Sequence, residues 1–179
     1  MQADAILPDV LAQGLRLVFC GSAAGVRSAQ VGAYYAGPGN RFWPLLWRLG
    51  LTPRQLAPRE FRDVLACGIG LTDLAKTVSG PDAGLPQGSD DPQGLRRRIR
   101  LCEPAILAFN GKRPAESYLG RKADFGLQRE TIGPTRIFVL PSTSRANARF
   151  TEKPWHDLAA LLASLREPGQ NTEPAARTR

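Results

Sequence analysis

Short apolar runs that alternate with helical patterns constrain the fold of this chain more than any other feature of its sequence. The runs are rich in β-branched and aromatic residues, and they cover 15–20, 68–74, 104–109 and 136–140. Apolar residues recur at helical spacing in segments that lie between and after these runs: 40–50, 51–56, 58–66, 91–102, 112–119 and 153–165. Strands separated by helices pair in parallel, so the pattern predicts an α/β fold whose mostly parallel sheet is covered on both faces.

Length and composition favour a single domain. The chain has 179 residues and is 42% hydrophobic, which suffices for one substantial core. We assign residues 1–166 to this domain, with residues 4–12 as a short leader before the first strand. Residues 76–92 are rich in Gly, Pro, Ser and Asp and predict a mobile loop. Residues 167–179 lack large apolar groups and predict a flexible tail.

Several classes of protein are disfavoured by what the sequence lacks. It has no run of about 18 apolar residues and no signal-peptide pattern, so we expect a cytoplasmic protein that does not contact membranes. Cys20, Cys67 and Cys102 show no CxxC spacing and predict reduced, structural thiols. His156 is the single histidine, so we expect no metal site.

A basic composition suits a polyanionic partner. Lys and Arg outnumber Asp and Glu by 24 to 16, which gives a formal charge of +8 and a pI near 10.1. Basicity without a specific role would have the same composition.

Three of the predicted strands are followed by residues suited to a site. Gly21–Gly25 form a glycine-containing turn after the first strand, Asp73 follows the second, and Ser142–Arg149 follow the last. Because ligands of α/β proteins bind at the carboxyl ends of parallel strands, we expect these residues to share one cleft.

At these positions the sequence resembles the mismatch-specific uracil-DNA and thymine-DNA glycosylase family. The resemblance rests on GLRLVFCG, PGNRFW, GIGLTDL, LAFNGK and VLPSTS, and it extends over about residues 15–165. It implies a three-layer α/β sandwich with four to five strands. It also implies an enzyme that flips a damaged base out of DNA and hydrolyses its N-glycosidic bond, leaving an abasic site. No metal or organic cofactor is implied.

Two motifs depart from the family pattern. Ala23 stands where the family usually has an Asn that positions the attacking water, and Ser142-Thr143-Ser144 replaces Asn-Pro-Ser. A methyl group cannot hold a water molecule. The chain is therefore either a weakened or inactive relative, or an enzyme that uses another group.

Asp73 is the candidate for that other group. A carboxylate at this position can orient and deprotonate water and stabilise the positive charge that develops on the deoxyribose. The structural alternative is that Asp73 caps the next segment or pairs with Lys76. Asp82, Asp90 and Asp91 are weaker candidates, because Asp is common in loops and Asp91 is suited to cap a helix.

A base-binding pocket is predicted from the first motif. The resemblance places Tyr35 as the aromatic residue that stacks on the flipped base. The other residues predicted to line the pocket are Ser22, Ala23, Ala24 and Asn40. In the alternative interpretation Tyr34 and Tyr35 both pack over the core, and Asn40 only caps the following helix.

The last motif resembles the loop that enters the DNA duplex. Arg145 is predicted to fill the vacated base stack, together with Ala146 and Asn147. Other residues predicted to contact DNA are Ser142, Ser144, Arg149 and Lys112. Alternatively, these arginines are merely exposed, as we expect for most of Arg96–Arg100.

Three functions therefore compete. The first is an active glycosylase for double-stranded, and secondarily single-stranded, DNA that contains uracil or mismatches, acting as a monomer. The second is an inactive relative that binds damaged or single-stranded DNA. The third is a Rossmann-type nucleotide enzyme, which the GSAAG turn disfavours because it does not fit GxGxxG.

Overall fold

The computed structural model describes residues 4–165, so the predicted tail at 167–179 lies outside the described residues. Within residues 4–165, five strands form one sheet: β1 (Leu17–Gly21), β2 (Ile69–Asp73), β3 (Ile106–Asn110), β4 (Gly126–Ile132) and β5 (Thr135–Leu140). The described part of the chain also has five α-helices: α1 (Val26–Val31), α2 (Phe42–Arg48), α3 (Pro92–Cys102), α4 (Lys112–Leu119) and α5 (Lys153–Ser164).

The sheet confirms the predicted α/β class. Its strand order is β2-β1-β3-β5-β4, and every pair is parallel except β4 with β5. All residues of β1, β2 and β3 are buried, as the continuous apolar runs predicted for strands covered on both faces.

Two apolar clusters show that the sandwich has three layers. On one face, Phe19 of β1 packs with α2 and α5 through Phe42 and Trp155. On the other face, the alternate residues of the strands pack with α3 and α4, where Ile99 and Ala115 are fully buried. Successive strand residues point to opposite faces, so each strand contributes to both clusters.

The strand β4 was missing from the predicted set. Its sequence, GLQRETI, has no apolar run, because it lies at the sheet edge and its residues alternate between half-buried and exposed. Charged residues on an edge strand also discourage pairing with another chain.

Other local differences concern the connections. Residues 26–31 form α1, which the sequence analysis treated only as part of the pocket segment. Residues 58–67 form a 3₁₀ helix, whereas residues 51–56 make turns rather than the predicted helix. The loop at 76–92 contains one 3₁₀ turn at Asp82–Gly84.

The leader is integrated into the domain. Leu7 and Val10 are buried, and Val10 forms an antiparallel bridge with Leu71 on the outer side of β2. Both main-chain hydrogen bonds of this bridge are 2.9 Å long. The leader thus covers one edge of the sheet and places residue 9 beside the end of β2.

Within residues 4–165, no helix is long and apolar enough to cross a membrane. All three cysteines are free thiols, and Cys20 and Cys102 are buried.

Candidate active site

A cleft of about 630 Å³ opens at the carboxyl ends of the parallel strands. The chain leaves β1 toward β2 on one side, and β3 pairs on the other side of β1. This reversal of strand order separates the two connections and leaves a crevice between them. The predicted turn at residues 21–25, Asp73 and residues 142–144 all line this cleft.

Asp73 ends β2 and lies directly opposite Gly21 in the parallel register. The residue is only 4% exposed, although it borders the cleft. Burial raises the pKa of Asp73 from 3.8 to about 7. The positive charge of Lys76 opposes this rise, the negative charge of Asp9 adds to it, and the positive charge of Arg98 also opposes it. The carboxyl group is therefore poised to exchange its proton near neutral pH.

Gly21 is required by the position of this carboxyl group. A Cβ atom at residue 21 would lie 2.6 Å from Asp73 Oδ1 and 3.5 Å from the Tyr35 hydroxyl. The first distance is far inside van der Waals contact. The glycine thus lets the main chain of β1 approach the carboxyl group from one side.

Lys76 does not form the ion pair with Asp73 that the structural alternative expected. Lys76 Nζ lies 2.8 Å from Asp9 Oδ1 instead, and it donates to the Leu7 carbonyl over 2.7 Å. Among residues 4–165, no cationic nitrogen lies within 4.0 Å of the Asp73 carboxylate, and that carboxylate accepts no hydrogen bond. Among the residues that the structure describes, the buried carboxyl group of Asp73 thus has no hydrogen-bond or ion-pair partner.

The competing aspartates have other surroundings. Asp91 caps α3 as predicted, accepting a 2.7 Å hydrogen bond from the Gly94 amide. Asp90 pairs with Arg113 at 2.9 Å and accepts from Ser117 at 2.6 Å. Asp82 borders the cleft but is exposed.

The two tyrosines have different roles. Tyr34 also borders the cleft, but it is only 2% exposed and packs in the core, with its hydroxyl 3.2 Å from Lys76 Nζ. Tyr35 lines the cleft, and its ring stacks on Phe42 with centroids 3.8 Å apart and planes at 24°. One face of the Tyr35 ring is thus covered by the protein.

Tyr35 carries two further signs of a functional position. Its φ of 53° lies in the left-handed region, which is strained for a residue with a side chain. Its buried hydroxyl makes no well-formed hydrogen bond among the described residues. The Asn110 side chain is nonetheless near enough to lower the pKa of Tyr35 in part. Burial first and the Asp73 charge second raise the pKa of Tyr35, so the hydroxyl is neutral and can donate.

The remaining predicted pocket residues all border the cleft: Ser22, Ala23, Ala24 and Asn40. The carbonyl of Ser22 accepts from the Ala75 amide over 2.8 Å, and the carbonyl of Ala24 accepts from the Gly80 amide over 2.9 Å. These bonds hold the turn against the segment that follows β2. Asn40 Oδ1 accepts from the Phe42 amide over 3.0 Å, so Asn40 stabilises the start of α2 from one residue before the capping position.

Asn110 was not predicted as a site residue. It ends β3, is 7% exposed and lines the cleft. Its Oδ1 accepts from the Thr143 amide over 3.0 Å and its Nδ2 donates to Thr143 Oγ1 over 2.9 Å. One N–H and one lone pair of the amide remain for a ligand. The available signal was a polar residue that ends an apolar run, as at Asp73.

The loop of residues 142–149 folds on itself and against the PGNR segment. Asn147 Nδ2 donates to the Ser142 carbonyl over 2.9 Å, and Arg41 Nη1 donates to the Ser144 carbonyl over 2.9 Å. The aliphatic part of Arg145 packs on Gly39, where an added Cβ would lie 2.9 Å from Arg145 Cδ. A loop fixed in this way can present side chains to DNA without a large ordering cost.

The loop residues differ in their relation to the cleft. Five of them line it: Ser142, Thr143, Ser144, Ala146 and Asn147. Arg145 and Arg149 are exposed outside it. Lys112 does not line the cleft either, since its Nζ lies 4.7 Å from the Phe125 ring and 3.7 Å from Asp124.

Metal ligands are not assembled in this part of the molecule. Within residues 4–165, no three side chains of His, Cys, Asp or Glu are grouped so that they could hold a metal ion. His156 is exposed on α5, where its Nε2 lies 3.7 Å from Glu152.

Comparison with known proteins identifies the family. Residues 8–166 match the family model described as the Uracil DNA glycosylase superfamily. The chain belongs to this superfamily. The fold is similar to the solution NMR structure of a "putative Uracil DNA glycosylase" from Methanosarcina acetivorans, with a TM-score of 0.60 and 23% identity. That match covers 90% of this chain and 97% of the other. Membership supports a role as a DNA glycosylase acting on DNA.

Proposed function

We propose that this protein removes uracil, and other deaminated or mismatched bases, from DNA by hydrolysing the N-glycosidic bond with Asp73 in the catalytic role. The observation that carries the proposal is the carboxyl group of Asp73, which is buried in the wall of the cleft and has no partner among residues 4–165. The superfamily match of residues 8–166 supports it. An unpaired carboxyl group in such a place costs folding stability, so we infer that it serves the reaction.

The chemistry follows from the charge of this group. Ionised Asp73 would accept a proton from the attacking water, and its negative charge would stabilise the positive charge that forms on the deoxyribose. A pKa of about 7 gives a mixture of both forms at neutral pH, which is favourable for a general base. We therefore expect excision to accelerate as the pH rises through about 7.

The base would be held between Tyr35 and Asn110. Phe42 supports one face of the Tyr35 ring, so the ring is a rigid surface for an extruded base. The unused N–H and lone pair of Asn110 could bind polar atoms on the edge of the base, and the neutral Tyr35 hydroxyl could donate to it. Ala23 adds only a methyl group, which leaves room for the base and the water.

The DNA backbone would lie across the loop of residues 142–149. The exposed Arg145 and Arg149 could bind phosphates, and the formal charge of +8 favours association with any nucleic acid. We keep the predictions of a monomer and of a cytoplasmic location as part of this proposal.

Single-turnover excision assays with Asp73 variants test the proposal. Labelled oligonucleotides should carry uracil, hypoxanthine, xanthine or a G·T mispair, each in single- and double-stranded form. Asp73→Asn and Asp73→Ala should both lower the rate by about 10²–10⁴-fold, the usual contribution of a positioned acid-base group, while DNA affinity changes little. Asp63→Asn, which removes an exposed carboxylate paired with Arg54, is the matched control and should keep the rate.

The two replacements separate charge from positioning. If Asp73 only positions water, the Asn variant should retain much more activity than the Ala variant, and Ala23→Asn should partly rescue the latter. A folded Asp73→Ala protein that excises uracil at nearly the wild-type rate would refute the role of Asp73.

An inactive DNA-binding relative is the second candidate, and the absence of the family Asn at Ala23 favours it. The same oligonucleotides distinguish the two functions. Alkali-sensitive cleavage at the lesion supports the enzyme, whereas tight binding of every lesion without cleavage supports the binding protein.

A further inference from the structure

A cluster of charged side chains lies next to Asp73, and none of its members lines the cleft. It consists of Asp9 in the leader, Lys76 after β2 and Arg98 on α3, and we call it the charge cluster. The side chains of Lys76 and Arg98 are 13% and 19% exposed, and that of Asp9 is 26% exposed. Three elements distant in sequence thus bring one anion and two cations to the end of β2.

Asp9 is the shared partner in this cluster. Its Oδ1 lies 2.8 Å from Lys76 Nζ and accepts a 2.6 Å hydrogen bond from Thr72 Oγ1. Its Oδ2 lies 3.4 Å from Arg98 Nε, within ion-pair distance but without hydrogen-bond geometry. The bridge between Val10 and Leu71 fixes the main chain next to Asp9. Asp9 therefore holds both cations from a rigid position.

Both cations lie close enough to Asp73 to affect it, yet neither pairs with it. Arg98 Nη2 donates to the main-chain carbonyl of Asp73 over 3.0 Å, and Lys76 is three residues along the chain. A largely buried ammonium or guanidinium group is costly unless an anion pairs with it. Without Asp9, the Asp73 carboxylate would be the neighbouring anion with which Lys76 and Arg98 could pair. Ion pairing there would occupy the oxygens that the proposed reaction needs.

We propose that Asp9 is a positioning residue that retains Lys76 and Arg98 and so keeps the Asp73 carboxyl group free for water and substrate. The inference rests on the proposed function for its consequence in excision, but its electrostatic part does not. Other titratable groups facing Asp73 are Cys20, Tyr34 and Tyr35, and burial, with the Asp73 charge second, raises the pKa of each, so they are neutral near pH 7. The charges that act on Asp73 are those of the charge cluster.

This arrangement predicts that the pKa of Asp73 shifts in opposite directions in Asp9→Asn and Lys76→Gln. The negative charge of Asp9 raises the pKa of Asp73 and the positive charge of Lys76 lowers it. Asp9→Asn should therefore lower the pKa of Asp73, and Lys76→Gln should raise it. The double variant, which removes one charge of each sign, should return the pKa toward that of the wild type.

Excision and direct titration should be measured on the same proteins: wild type, the two single variants, the double variant and the Asp63→Asn control. In Asp9→Asn the rising part of the pH profile should move to lower pH. The plateau rate should fall by roughly tenfold, because Lys76 would then pair with the Asp73 carboxylate and make it a weaker base. In Lys76→Gln the rising part should move to higher pH, and the double variant should recover most of the plateau rate. Asp63→Asn should match the wild type.

Carbon-13 NMR titration of the Asp73 carboxyl group gives a readout that does not require activity. Opposite shifts in the two single variants, with recovery in the double variant, support the role of Asp9 even if no tested base is excised. An unchanged Asp73 titration in both single variants overturns it. Rates that fall in parallel with thermal stability, with no displacement of the pH profile and no rescue, also overturn it, because that result describes a merely structural residue.

Discussion

The replacement Asp73→Asn should stabilise the folded protein while it abolishes most of the proposed activity. The pKa of Asp73 is about 7 in the fold, against an ordinary value of 3.8. At about 1.4 kcal/mol per pH unit, full ionisation of Asp73 opposes folding by up to about 4 kcal/mol. Asn has a similar shape and no charge, so it avoids this cost.

The stability that Asp73→Asn gains over wild type depends on pH, and the direction follows from the raised pKa of Asp73 in the folded state. Between pH 4 and pH 7 the folded state binds more protons at Asp73 than the unfolded state does, so wild-type stability falls as the pH rises through this window. Above pH 7 both states are ionised and the cost is complete. The gain from Asp73→Asn should therefore be about 2 kcal/mol at pH 5 and up to about 4 kcal/mol at pH 8.

Urea unfolding followed by tryptophan fluorescence measures both values. Wild type and Asp73→Asn should be compared at pH 5 and pH 8, with Asp124→Asn as a control whose side chain is fully exposed. The control should have the same stability as wild type at each of the two pH values. If Asp73→Asn is no more stable than wild type at pH 8, or if its gain is the same at both, the argument that burial destabilises an ionised Asp73 is refuted.

Two other substitutions test the geometry of the site. Gly21→Ala should lower single-turnover excision about 100-fold without loss of DNA affinity, because the new methyl group would lie 2.6 Å from Asp73 Oδ1 and displace the carboxyl group. Gly84→Ala is the control for Gly21→Ala, because an added Cβ there would meet only Pro81, at 3.7 Å. An unaffected rate in Gly21→Ala would contradict the assignment of Asp73 as the catalytic residue. Arg145→Ala should slow excision from duplex DNA more than from single-stranded DNA, because only a duplex must be kept open, and equal losses would indicate a generic charge contact.

Local features of the fold were predictable from sequence because they depend on neighbouring residues. Asp91 followed by Pro92 predicted the start of α3, and the observed cap from the Gly94 amide confirms it. The strands β1 and β3 were predictable because burial on both faces requires continuous apolar runs. The edge strand β4 was not, since a half-exposed strand with Arg and Glu carries little apolar signal.

The candidate site was only partly predictable. The sequence placed Asp73 and the 142–149 loop at strand ends, and the structure brings both to one cleft. Asn110 was missed because its role depends on Thr143, 33 residues away, which binds both ends of its amide. Lys112 follows a strand end as predicted, but the turn directs it to Phe125 rather than into the cleft.

The sequence by itself determined the α/β class, the buried strands and the residues available at their ends, because apolar periodicity and capping are properties of consecutive residues. Only the tertiary structure decided which of those residues meet. The parallel register sets Gly21 against Asp73, and the leader carries Asp9 to Lys76, which local spacing alone would have paired with Asp73. The physical reason is that burial, strand register and the balance of nearby charges arise from contacts between distant segments, and these contacts determine whether a carboxyl group is neutralised or left free to react.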